Sequence, residues 1–265
     1  MADRVTQEFE KLVEVVAALR APGGCPWDRE QDHASLRKYL IEEAYEVVDS
    51  IDQGSSAKLE DELGDVLLQV LLHAEIASEE GRFTIAEVCE RIRKKLVRRH
   101  PHVFGEIEVA GVEDVLHNWE EIKSREPGRE EIGSAIGGVP KSLPALMRAT
   151  EVSKRAARTG FEWPDMEGVL AKLREEIEEL EHALSTGKAE LVKSEIGDLL
   201  FTIVNIARWW KVDPEEALRE MLDRFQARFT LIEERARASG RSVGELTLDE
   251  MDQIWNEAKG SPESR

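Results

Sequence analysis

Ten carboxylates in this chain fall into two matched sets. Glu42, Glu43, Glu46, Glu62 and Asp65 form the first; Glu175, Glu176, Glu179, Glu195 and Asp198 form the second. Each member of the second set follows its counterpart by 133 positions (175 − 42, 176 − 43, 179 − 46, 195 − 62, 198 − 65). The shared pattern is E-E-x-x-E, an interval of fifteen residues, then E-x-x-D. Acids three and four residues apart share one face of a helix. Gathered there they repel one another, and burial raises their affinity for protons. A divalent cation with oxygen ligands relieves both penalties. Mg²⁺ suits the pattern because it takes oxygen ligands and shares its shell with waters and substrate phosphates. Neither Cys nor His occurs in the pattern, which disfavours zinc. The five repeated positions include no Glu-x-x-His pair, which argues against a di-iron bundle; His182 stands three residues after Glu179, but Asp49 takes that place after Glu46. With 34% charged residues, one such run alone would read as a solvated helix face. A second copy at unchanged spacing, again flanked by apolar residues, points to a cation site instead.

The elements that must position these acids are helices. Apolar residues recur at intervals of three and four, and β-branched alternation is rare. The pattern predicts helices over about 4–20, 34–53, 57–80 and up to 98 in the first half, with 112–124 helical again. The acidic pairs fall on the second and third of these, joined by the turn Gln53-Gly54-Ser55-Ser56. Leu40, Ile41, Ala44 and Val47, with Leu63, Val66, Leu67 and Val70, make the flanks apolar. Thr84 with Glu87 is a capping box. The segments APGGCPWD at 21–28 and RRHPHVFG at 98–105 read as breaks, with His100 and His102 structural. In the second half, helices are expected over about 143–158, 166–185, 189–210, 214–238 and 248–259. Pro214 opens one at its first helical position, and a second capping box, Thr247 with Glu250, opens the last.

The repeat extends past the acids. Gly64 and Gly197 correspond, as do Leu67 and Leu200. The expected plan is two helical units, 1–123 and 143–265, joined by a Gly-, Pro- and Ser-rich linker at 124–142. A unit of about 100 residues is too long for a solenoid repeat.

Bulk properties narrow the function. The net charge is −19, which argues against binding a nucleic-acid polymer, since such affinity rests on cationic contacts to phosphate. An acidic protein can still hold a phosphorylated ligand if metal ions bridge the two. No apolar run is long enough to span a membrane. The first twenty residues lack a secretory apolar core, so a cytoplasmic location is expected. Two cysteines, Cys25 and Cys89, are too few for a disulfide framework.

With GGCPWDREQDHASLRKYLIEEAYEVVDSID, DELGDVLLQVLLHAEIA, KLVRRHPHVFG, VPKSLPALMRA, GFEWPD and EIGDLLFTIVNIARW in view, the chain resembles the MazG family of nucleoside triphosphate pyrophosphohydrolases over nearly its whole length. The resemblance implies an all-α fold of two tandem units, assembled as a homodimer. It implies hydrolysis of nucleoside triphosphates to monophosphate and diphosphate with Mg²⁺, or Mn²⁺ in its place, across a broad base range in a house-cleaning role. Glu43, Glu46, Glu62 and Asp65 would then be metal ligands of the first unit, and Glu176, Glu179, Glu195 and Asp198 those of the second. Glu42 and Glu175 would orient a water or act as general base. Lys94, Lys95, Arg98 and Arg99 in one unit, and Arg224 and Arg228 in the other, are candidate phosphate contacts; each could instead balance nearby acids. Trp27 and Trp163 could stack on a base or pack their loops. The chain has Met221-Leu222-Asp223-Arg224-Phe225 where the family's second unit often carries Asn-x-x-Lys-Phe. The competing functions are inorganic pyrophosphatase activity and a unit degenerated to a non-catalytic dimerisation scaffold.

Overall fold

In a computed structural model of the chain, residues 2–112, 114, 115, 118, 119, 122 and 134–259 are described. Among them are eleven α-helices and no strands, so the expected all-α class holds. The chain divides into two compact units, Met1–Pro127 and Gly128–Arg265. Residues 123–133, much of the expected 124–142 linker, lie outside the described residues, as do parts of the helix expected over 112–124. The described residues between 112 and 122 are helical.

The first unit contains α1 (Ala2–Arg20), α2 (Pro26–Glu30), α3 (Arg37–Asp52), α4 (Ser56–Glu79), α5 (Ile85–Arg99) and α6 (Pro101–Phe104). The turn between α3 and α4 passes through Gly54 at φ 64°, a left-handed conformation that glycine adopts without cost. That turn lays α3 and α4 against each other, the most extensive helix pairing in the unit. The Ser55 hydroxyl caps α4 by accepting from the Lys58 backbone N–H. The core gathers Val16, Leu36, Leu71, Leu72 and Ile76, with Phe9, Leu12, Tyr39 and Leu68 packed on it. The Thr84–Glu87 capping box forms as expected and starts α5. Two segments expected to be irregular each contain a short helix, α2 and α6. Both have proline in the first turn, where its missing N–H costs nothing.

In the second unit, α7 (Ala145–Arg158), α8 (Met166–Thr186), α9 (Ala189–Trp209), α10 (Pro214–Ala238) and α11 (Leu248–Lys259) repeat the plan, with a 3₁₀ turn at Val243–Glu245. Gly187, at φ 66°, terminates α8 and turns the chain into α9. Asp165 and Asp213 cap α8 and α10 through their side chains. The Thr247–Glu250 box is present: Thr247 Oγ1 accepts from the Glu250 N–H, and the Glu250 carboxylate accepts from the Thr247 N–H. The buried part of this unit is partly polar. The Ser153 hydroxyl donates to Asn205 Oδ1 at 2.5 Å and accepts from Arg208 Nε at 2.7 Å. Arg208 also pairs with Glu162, whose carboxylate accepts from Trp209 Nε1.

The acid-bearing helices leave large apolar side chains in the open. Ile41 is 51% exposed, Leu63 52%, Leu184 59% and Leu200 48%.

Candidate metal and nucleotide site

The α3–α4 hairpin brings one carboxylate oxygen each from Glu43, Glu62 and Asp65 within 4.8 Å of one another. The α8–α9 hairpin does the same for Glu176, Glu179 and Glu195. The trios are not built from equivalent members: Glu46 stands outside the first and Asp198 outside the second. Glu46 nonetheless bears on its trio, since its charge adds to the burial that raises the proton affinity of Glu43 and Glu62. Burial, followed by the charge of Asp65, raises the proton affinity of Glu43; burial, followed by the charge of Glu46, raises that of Glu62. In the second unit burial raises that of Glu179, and the Lys172 ammonium opposes the shift.

Glu176 is the most enclosed of the acids, at 4% exposure. Its Oε1 lies 3.0 Å from Lys172 Nζ, while its Oε2 is buried with no hydrogen-bond partner. A buried carboxylate oxygen left in this state is costly. A donor set of three carboxylates, all oxygen, matches what Mg²⁺, Mn²⁺ or Ca²⁺ requires and does not suit a thiolate-seeking metal. With Mg–O distances of about 2.1 Å, neighbouring oxygens of an octahedral shell are about 3 Å apart and opposite ones about 4.2 Å, so the trios would draw in around a bound ion. The residues therefore fit a divalent cation.

Glu42 and Glu175 lie exposed beside the trios. Glu175 shares Lys172 with Glu176, at 2.8 Å. Between the acids of each second helix sits a glycine, Gly64 or Gly197, with open space where a Cβ would be.

The candidate phosphate contacts are more scattered. Lys94 pairs with Glu90 at 2.7 Å on the surface. Lys95 lines a groove of about 520 Å³ with Phe83, Arg91 and Ile92. Arg98 is exposed, whereas Arg99 is buried with its guanidinium over the Trp119 ring. Arg224 pairs with Glu220 at 3.4 Å. Arg228 lies over the Trp255 ring, which also meets Phe225. Trp27 is half exposed and meets Tyr39 edge-on. Trp163 packs so closely on the start of α8 that a Cβ on Gly168 would come within 3.0 Å of its ring.

The sequence reading did not single out Lys172 or Trp255. Lys172 was accessible from spacing alone, three and four residues before Glu175 and Glu176. Trp255 becomes visible only once α11 packs on α10.

The family model of the MazG nucleotide pyrophosphohydrolase domain matches residues 31–104 and again 165–230, each match enclosing one acidic hairpin. The chain belongs to the MazG family. It is thus a nucleotide pyrophosphohydrolase, a hydrolase, with the MazG domain present twice. It is similar to the nucleoside triphosphate pyrophosphohydrolase/pyrophosphatase MazG of Thermotoga maritima, 44% identical over 256 residues that make up 97% of each chain. It is likewise similar to the nucleoside triphosphate pyrophosphohydrolase of Escherichia coli strain K12, at 39% over 255 residues, 95% of this chain and 97% of the other. The crystal structure of a mazG-related protein from Thermotoga maritima aligns with 44% of this MazG chain and 99% of its own, at 28% identity and a TM-score of 0.38. No helix among the described residues is long and apolar enough to cross a membrane.

Proposed function

We propose that this MazG protein hydrolyses nucleoside triphosphates between the α and β phosphates, giving the monophosphate and diphosphate, over a broad base range and in a cytoplasmic house-cleaning role. The observation that carries this reading is the buried, unpartnered Glu176 oxygen inside a carboxylate trio, on a pattern that the first unit duplicates. Glu43, Glu46, Glu62 and Asp65, and Glu176, Glu179, Glu195 and Asp198, would hold Mg²⁺ or Mn²⁺. Bound there, the cation would neutralise the triphosphate and acidify a coordinated water.

The remaining steps belong to the protein. Glu42 or Glu175, solvent-facing next to the ligands, takes the proton of the attacking water. The new P–O bond forms as the bond to the α–β bridging oxygen breaks, and diphosphate leaves with that oxygen when the α phosphorus is attacked. Basic side chains stabilise the leaving charge: Lys94, Lys95 and Arg98 in the first unit, Arg224 in the second. Arg99 and Arg228, laid on Trp119 and Trp255, would contribute less directly. Trp27, with its ring half exposed, is the better placed of the two loop tryptophans to stack on a base.

The exposed Ile41, Leu63, Leu184 and Leu200 on the catalytic helices support a homodimer that covers them, because large open apolar patches mark contact surfaces. Residues 124–142 would then serve as the connection between units. The test is hydrolysis of each nucleoside triphosphate in ¹⁸O-labelled water with Mg²⁺, with products separated by ion exchange and weighed. Monophosphate plus diphosphate, with the label in one of them, is expected. Nucleoside diphosphate plus orthophosphate would sink the reading, and turnover of diphosphate alone would replace it with a pyrophosphatase.

A further inference from the structure

The helix-face spacing that aligns the acids of α8 also places a lysine among them. Lys172 Nζ is 2.8 Å from Glu175 Oε1 and 3.0 Å from Glu176 Oε1. Glu176 is thereby divided: one oxygen faces the ammonium, and the other is buried without a partner. The position 133 residues earlier is Tyr39, not a cation. Tyr39 packs on the core of the first unit, and the ammonium of its neighbour Lys38 lies over its ring, 4.4 Å from the centroid. In that unit the leading charges on Glu43 and Glu62 are all carboxylates. The two acidic sets thus share their spacing and differ in which acids meet and in whether a cation is already built in.

We propose that Lys172 is a resident counter-cation of the second unit's acidic trio, one that an incoming divalent ion must push aside, so that the two units of one chain take up metal with different affinity. The inference rests on the reading that these trios bind a divalent cation. A dication held through Glu176 Oε2 would sit beside the ammonium on the other oxygen of the same carboxylate. Like charges at that separation repel, most strongly where water is scarce. The ammonium is therefore a competitor for the metal, and it is also what keeps the buried carboxylate tolerable when no metal is bound. Four methylenes let it swing away without moving α8, and a third of its side-chain surface is already in solvent. The displaced charge remains at the mouth of the site, where an anionic substrate arrives.

The experiment isolates the second unit within the full-length chain by Glu43→Gln with Asp65→Asn. Mn²⁺ alone is titrated, with free ion read by electron paramagnetic resonance. In this background Lys172→Met should tighten Mn²⁺ binding by roughly three- to tenfold, the scale of one ion pair. Lys172→Arg, which keeps the charge, should stay within about twofold of the background chain. Lys172→Met should also lower the melting temperature of the metal-free protein more than that of the Mn²⁺-saturated protein. Lys172→Gln guards against a folding defect, because it keeps a donor to Glu176 while removing the charge; it should tighten binding as Lys172→Met does. Unchanged or weaker Mn²⁺ binding in folded Lys172→Gln overturns the proposal and leaves the metal site standing. No stoichiometric Mn²⁺ in the background chain would overturn the metal site itself, and the proposal with it.

Discussion

In the first unit, Glu43, Glu62 and Asp65 confront one another, with the charge of Glu46 bearing on two of them. In the second, Glu176 is sealed at 4% exposure with Lys172 on one oxygen. Both face the same electrostatic problem, carboxylates crowded at the edge of an apolar seam, in different surroundings. In the first, burial and neighbouring carboxylates raise the proton affinity of Glu43 and Glu62; in the second, the Lys172 ammonium offsets part of the charge. Duplication preserved the carboxylate spacing and left their surroundings to diverge. Identical acidic patterns are therefore not identical sites, and a difference three or four residues upstream on the same helix face is enough to separate them.

The sharpest way to test this contrast is to disarm each trio in turn. Glu43→Gln with Glu176→Gln should cut kcat by more than about a thousandfold in the combined variant, a loss in line with removing an activating metal ligand. The two single variants assayed against all nucleoside triphosphates would apportion turnover between the units. Full activity in the double variant would remove both trios from the chemistry.

A smaller effect separates the supports of the two sites. Arg20, 5% exposed at its side chain, binds Glu79 through two hydrogen bonds of 2.8 Å and donates to the carbonyls of Asp28 and Gln31. It thus ties α1, α4 and the Trp27 segment together. Arg208 has the matching task in the second unit, through Glu162 and Ser153. Arg20→Met should cost the first unit about 2 kcal/mol, from a broken pair and two lost carbonyl contacts. Arg208→Met should act on the second unit alone. Denaturant unfolding followed by hydrogen exchange, which reads each unit separately, checks this; one shared transition for both variants would contradict it.

The smallest effect is the dependence on pH. Glu43 and Glu62 are pushed up in the folded chain, so the native state holds their protons above the pH at which the unfolded chain releases them. Stability of metal-free protein should therefore fall as pH rises from the ordinary glutamate value through the raised one, then level off. Glu43→Gln should flatten that slope, and Mn²⁺ should reverse it, because a bound dication favours the ionised carboxylates and protons then compete with the metal. Melting curves in chelator at several pH values between 4 and 8 give the comparison. A slope unchanged in Glu43→Gln would place its origin elsewhere.

The helices and their caps were legible because their signals are local. Thr84, Asp213 and Thr247 each act on a backbone N–H two or three residues away, and Gly187 ends α8 by its own conformation. The acidic trios were legible for a related reason: helical spacing fixes which acids share a face, and a short turn brings two faces together. Which three acids meet was not, because it depends on how far each hairpin is rotated. Contacts between distant residues were also out of reach. His33 and His73 meet at 2.8 Å across 40 positions, and Ser153 reaches Asn205 across 52. Nor did the charge of Arg99 reveal that its side chain would be buried against Trp119 rather than offered to solvent.

Gly64 and Gly197 sit mid-helix with nothing against them, between the last two acids of each set. A glycine there weakens its helix by about 1 kcal/mol relative to alanine. The turn that carries Glu62 and Asp65, and the one that carries Glu195 and Asp198, thus include the residue of lowest helix propensity in α4 and α9. An ion that binds acids on both sides of such a glycine staples the turn shut. Metal uptake would then be a local ordering event, felt along the helix as well as at the acids.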